Sequence, residues 1–99
     1  MPKYECHITC SRIDSNKVLK IAEETKWKFS AIDGDPIMGK EPYCYLTQYC
    51  SDPKDLYDSM KLVCRLLTSY DVKVLREKIE QIIYDTKTGV DELGGGNQI

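Results

Sequence analysis

Apolar and polar side chains alternate through Tyr4-Glu5-Cys6-His7-Ile8-Thr9-Cys10, with Tyr4, Cys6, Ile8 and Cys10 on one side and Glu5, His7 and Thr9 on the other. A period of two marks a half-buried strand. The period then lengthens. Val18, Leu19, Ile21, Ala22 and Thr25 form a helical stripe that Asp14 or Ser15 can cap and that runs to Lys26. Trp27, Phe29 and Ala31 return to alternation and lead into Asp33-Gly34-Asp35-Pro36, a turn signal carried by Gly and Pro. Residues 42–50 predict a third strand, with Tyr43, Tyr45, Thr47 and Tyr49 on one face and Cys44, Leu46, Gln48 and Cys50 on the other.

Ser51-Asp52-Pro53 is the strongest helix start in the chain: Asp52 suits the cap, Pro53 the first helical position, and Asp55 the positive end of the helix dipole. Leu56, Met60, Val63, Cys64 and Leu67 follow at three- and four-residue steps, so this helix lies on a core until Tyr70, and Asp71 marks its exit. Val72 to Ile83 reads as a fourth strand, with a change of phase or a bulge near Ile82-Ile83. From Thr86 onward the sequence is Gly-rich, acidic and aperiodic, with Gly94-Gly95-Gly96 as a linker signal and Leu93 and Ile99 as candidate anchors for a partner.

Strand–helix–strand–strand–helix–strand is the order of the split βαβ, or ferredoxin-like, fold. The expectation is therefore an α+β domain over residues 1–85, with a four-stranded antiparallel sheet, two helices on one face, and a flexible tail over 86–99. Right-handed crossovers would place strands 1 and 3 in the centre and strands 2 and 4 at the edges. The second sheet face is then open, covered by a short C-terminal segment or by a second copy in a homodimer.

Composition narrows the function classes. The chain has 99 residues and a net charge of −2, from 14 basic and 16 acidic side chains. That balance argues against a nucleic-acid partner, which calls for a net basic field. No apolar run reaches the length of a membrane span, and Met1-Pro2-Lys3 leads into a strand rather than a signal peptide. Cys6, Cys10, Cys44, Cys50 and Cys64 are an odd number with no Cys-x-x-Cys pair. They read as free thiols acting as small buried hydrophobes in a reducing, cytoplasmic setting. Cys6 and His7 point to opposite faces of a strand, so they do not share a metal, and the sequence shows no carboxylate cluster with metal spacing. Neither a metal nor a cofactor is expected. The glycine-rich phosphate loop and the nucleophile elbow are also missing.

Parity assigns the open face. With Cys6, Ile8 and Cys10 toward the helices, Glu5, His7 and Thr9 face outward, and the more polar set Tyr43, Tyr45, Thr47 and Tyr49 shares that side. On strand 4, Val74, Arg76, Lys78 and Glu80 are expected outside, against Leu75 and Ile79. The candidate ligand-binding group is therefore His7, Thr9, Tyr45, Thr47, Arg76 and Lys78. Hydroxyls, an imidazole, an aromatic face and two cations on a mildly acidic molecule suit a small anionic ligand better than a long polyanion.

Tyr4-Glu5-Cys6-His7-Ile8-Thr9 and Val74-Leu75-Arg76-Glu77-Lys78-Ile79-Glu80 resemble the first and last strands of small bacterial and phage proteins that open with Glu-x-His-x-Thr and close with Arg-x-Lys-Ile-Glu. That resemblance covers residues 4–80 and carries no established activity. The triplet His7-Ile8-Thr9 also resembles the His-x-Thr signature of the 2H phosphoesterases. In those enzymes two such motifs face each other across a cyclic phosphate, one His as acid and the other as base. This chain has a single His, so it resembles half of such an enzyme, and the chemistry would need a homodimer pairing two copies of His7 and Thr9. The tyrosines of strand 3 invite comparison with RNA-recognition sheets, but residues 42–50 lack the Gly-Phe consensus and Glu5 stands where a base would approach.

The functional expectation is a small cytoplasmic binding protein, not an enzyme. Its open sheet face contacts a phosphorylated small ligand or a protein partner; small acidic domains of this kind are common among phage accessory and antidefence proteins, which gives the protein partner equal weight. The rivals are the dimeric phosphodiesterase and a purely structural dimerisation module.

Overall fold

The computed structural model describes residues 3–32, 42–85 and 90–91. The chain forms β1 (Lys3–Ser11), a 3-10 turn (Arg12–Asp14), α1 (Ser15–Thr25), β2 (Lys28–Ile32), β3 (Tyr43–Cys50), α2 (Pro53–Ser69), β4 (Val74–Ile82) and the two-residue strands β5 (Tyr84–Asp85) and β6 (Val90–Asp91). It is an α+β protein. Four strands make one sheet in the order β2-β3-β1-β4, and every neighbouring pair is antiparallel. β1 pairs with both β3 and β4, and β3 with both β1 and β2, so β1 and β3 lie in the middle, as expected from the element order.

Local chemistry accounts for the element ends. Asp52 caps α2 through its Oδ1, which accepts from the Lys54 amide at 2.9 Å, and Pro53 sits in the first turn. At the other end the Val72 amide donates to the Leu67 carbonyl and the Asp71 amide to that of Thr68, both at 2.9 Å. Asp71 takes φ 65° between them, so the helix stops in a Schellman motif that also brings buried Val72 onto buried Leu67. Helix α1 starts differently from the expectation. Ser11 accepts from the Ile13 amide and caps the 3-10 turn, while Asp14 stands at the α1 N-cap without a side-chain cap bond. Lys26, at φ 65°, closes α1 in the left-handed region.

Both helices lie on one face of the sheet. Cys6, Ile8 and Cys10 from β1 and Cys44 and Leu46 from β3 meet Val18, Ile21 and Ala22 of α1 and Leu56, Met60, Val63 and Leu67 of α2. Each large aliphatic side chain so buried contributes roughly 1.5–3 kcal/mol of transfer free energy. Leu19 falls outside this stripe and is exposed. It follows Val18 directly, and the helix turns it about 100° away from the core.

Strand β4 corrects the expected register. Thr9 pairs with Arg76 but Cys10 pairs with Val74, so Leu75 is an extra residue and the irregularity falls here rather than at Ile82-Ile83. The shift turns Val74 toward the core, where it packs, instead of leaving it beside Arg76; Leu75 is exposed. The five cysteines are free thiols, with Cys6, Cys10 and Cys44 buried and Cys50 and Cys64 half-buried. Burial pushes the Cys6 and Cys10 thiols up to about 12, and neighbouring thiols and carboxylates add to the effect. No described helix is long and apolar enough to cross a membrane. Beyond residue 85, β6 pairs with β5, so backbone pairing reaches into the expected tail. The Asp33-Gly34-Asp35-Pro36 turn, Leu93, Gly94-Gly95-Gly96 and Ile99 lie outside the described residues.

Candidate functional site

Strand pairing assembles the open face in rows. Glu80, Glu5 and Tyr49 stand opposite one another across β4, β1 and β3; Lys78, His7 and Thr47 form the next row; Arg76, Thr9 and Tyr45 the one after. Strand β2 extends the rows with Lys28 opposite Thr47 and Ser30 opposite Tyr45. Side chains directly opposite on an antiparallel pair leave the same face a few ångströms apart. Residues remote in sequence therefore become neighbours through register alone.

His7 is the centre of this face. Its Nδ1 lies 2.9 Å from Thr47 Oγ1 and its Nε2 3.0 Å from Glu5 Oε1. With Nε2–H donating to the Glu5 carboxylate, the Thr47 hydroxyl can donate to Nδ1; both ring nitrogens are then satisfied and the ring orientation is fixed. Tyr45 sets its ring edge-on to the imidazole at 6.3 Å, and Tyr43 stands against Tyr45 at 6.5 Å. Thr47 and Thr9 are buried, and no buried side-chain polar atom among the described residues lacks a partner.

An open cavity of about 320 Å³ lies on this face, lined by His7, Thr9, Ser30, Ile32, Tyr45, Arg76 and Lys78. Five of the six residues expected from sequence line it. The sixth, Thr47, stands beside His7 in its row, outside the lining, and holds the His7 ring through Nδ1. Sequence reasoning missed Ser30 and Ile32, although their signal was present: with Phe29 turned toward the core, parity sends Lys28, Ser30 and Ile32 to the open face. The lining contains two cations and no carboxylate. Lys78 makes an ion pair with Glu80 at 3.3 Å, whereas no described acidic group pairs with Arg76. The cavity can therefore receive an anion on Arg76 and Lys78, hydrogen-bond it through Thr9 and Ser30, and lay a flat ring against Tyr45 and Ile32.

On the other side of His7 the chemistry changes sign. One ligand atom each from Glu5, His7 and Glu80 lie within 4.8 Å of one another. No sequence spacing on one element could reveal this grouping, because Glu80 comes from β4 and the other two from β1. A second depression, at the turn from α2 into β4, is lined by Thr68, Asp71, Val72, Lys73 and Val74 and lies apart from these rows.

No protein-family model matches the chain, and no curated protein and no solved structure matches it either.

Proposed function

We propose that this protein binds a small phosphorylated ligand, of the size and shape of a mononucleotide, in the cavity on its open sheet face. One observation carries the reading: a chain of net charge −2 presents a cavity lined by two cations, hydroxyls and an aromatic ring, with no carboxylate in the lining. Its volume of about 320 Å³ falls at the small end of ligand sites. Arg76 and Lys78 would hold the phosphate, Thr9 and Ser30 its remaining oxygens, and Tyr45 the base or another planar group.

The two strand motifs that resemble those of small bacterial and phage proteins are cross-strand partners. Glu5, His7 and Thr9 stand opposite Glu80, Lys78 and Arg76, so both motifs lie on one site. The strand order β2-β3-β1-β4, with both helices on one face, supports the ferredoxin-like reading of the fold. Five free thiols, three of them buried, support a reducing compartment such as the cytoplasm.

Calorimetric titration with inorganic phosphate and with nucleoside monophosphates tests the proposal. Arg76→Ala should weaken phosphate binding by about 1.5–3 kcal/mol, the usual size of a charge-assisted contact. Tyr45→Ala should weaken the nucleotide but not inorganic phosphate. Equal affinity in wild type and Arg76→Ala refutes the site. Binding of neither probe, with a dimer in sedimentation that Tyr45→Asp dissociates, replaces the ligand with a second copy of the chain. Turnover of a 2′,3′-cyclic nucleotide, abolished in His7→Ala, replaces binding with catalysis.

A further inference from the structure

Glu5 and Glu80 face each other directly across β1 and β4, an arrangement in which like charges repel. His7 adds an imidazole beside them, and the three donor atoms fall within 4.8 Å of one another. We infer that Glu5, His7 and Glu80 form a site for one divalent transition-metal ion of the zinc type, adjoining the anion cavity and sharing His7 with its wall.

The donor set selects the class of ion. An imidazole with two carboxylates suits Zn²⁺ or Co²⁺, whereas Mg²⁺ and Ca²⁺ take oxygen ligands alone. Distance fits as well. Two ligands bound to one tetrahedral ion at ~2.0–2.1 Å stand ~3.3 Å apart, and His7 Nε2 already lies 3.0 Å from Glu5 Oε1. The third feature lies outside the donor set. Buried Thr47 Oγ1 lies 2.9 Å from Nδ1; in the tautomer that frees the Nε2 lone pair for the ion, Nδ1–H donates to this hydroxyl, the outer-shell acceptor of a metal-ligating histidine, and Nε2 is the atom turned toward the carboxylates. All three ligands rise from adjacent strands of the sheet, so they are held in place before the ion arrives. A fourth position stays open to solvent on the exposed side, where Glu80 is about half accessible.

Lys78 is the built-in competitor. Its Nζ lies 3.3 Å from Glu80 Oε1 and occupies the carboxylate that the ion would take. Removing it should tighten metal binding, whereas removing a carboxylate should loosen it.

His7 is the sole histidine of the chain, so its ring signals in a nuclear magnetic resonance spectrum report the site unambiguously. The chelator-treated full chain is titrated with Zn²⁺, and with Mg²⁺ as control. One equivalent of Zn²⁺ should move the Nε2 resonance to saturation and Mg²⁺ should not. Glu5→Gln and Glu80→Gln should each weaken binding at least tenfold, Thr47→Val should weaken it roughly 10–100-fold, and Lys78→Met should strengthen it. Glu80 is exposed, so its variant folds whatever happens at Glu5 and Thr47. Ring signals that stay put at saturating Zn²⁺ overturn the site. So does a Zn²⁺ affinity unchanged in Glu80→Gln, which would put the ion elsewhere, on the thiols of Cys50 or Cys64. Arg76→Ala should leave Zn²⁺ binding intact, so this test and that of the phosphate cavity succeed or fail separately.

Discussion

Alkaline pH should destabilise this protein through its core thiols. Cys6 and Cys10 are fully buried on the helix-facing side of β1, and burial raises each from an ordinary value of 9.0 to about 12. The folded state thus holds the thiol protons more tightly than the unfolded chain does. Their contribution is fully present below pH 9.0 and is lost progressively as pH rises from there through about 12. Near pH 10 an unfolded thiol is mostly ionised while a folded one is not, which costs about 1.4 kcal/mol per thiol, or roughly 3 kcal/mol for the pair. Urea unfolding under reducing conditions, at about pH 8 and again at about pH 10, measures that loss in the wild type and in Cys6→Ala/Cys10→Ala. Tyrosines and lysines titrate in both proteins, so the informative quantity is the difference between the two losses. The double variant starts less stable but should lose roughly 3 kcal/mol less over the interval. Equal losses in the two proteins would refute the reasoning, because the core thiols would then feel no penalty for ionising.

Other expectations follow from single contacts. Asp52→Ala removes the α2 cap and should cost about 1 kcal/mol in chemical denaturation, with the sheet-face cavity unaffected. Leu46→Ala, at a fully buried position on β3, should cost about 2–5 kcal/mol and lower Tm steeply. Lys26→Gly relieves a left-handed backbone at the end of α1 and should raise stability by up to about 1 kcal/mol, read from the unfolding midpoint. Together with the Arg76→Ala titration, these separate damage to the scaffold from damage to the site.

The open face derives its character from two strands that meet only in the folded protein. Glu5, His7 and Thr9 alternate on β1; Arg76, Lys78 and Glu80 alternate on β4; antiparallel pairing sets one triplet against the other in reverse order. Cations consequently gather beside Thr9 and the cavity, and carboxylates gather beyond His7. The imidazole sits at the boundary between an anion-accepting half and a cation-accepting half. An anion seated in the cavity and a cation on Glu5, His7 and Glu80 would each lower the other's electrostatic cost, which makes cooperative binding of phosphate and Zn²⁺ a direct way to probe both proposals at once.

Alternation alone determined which side of β1 and β3 meets the helices, because side chains of a strand leave it with a strict period of two. The helix-facing cysteines of β1 and β3 and the outward set Glu5, His7 and Thr9 were legible in that way, and the start of α2 at Asp52-Pro53 was legible from its capping chemistry. Other features depended on contacts between elements. Val74 turns inward because Leu75 is accommodated as an extra residue against β1, a choice made by the packing of the edge strand and not by its own pattern. Leu19 was misread since one residue of rotation separates a core position from an exposed one. Ser30 joins Tyr45, and Glu80 joins Glu5 and His7, only when strand order and register bring distant segments side by side. Local periodicity fixes the direction in which a side chain points; the sheet decides what it meets there.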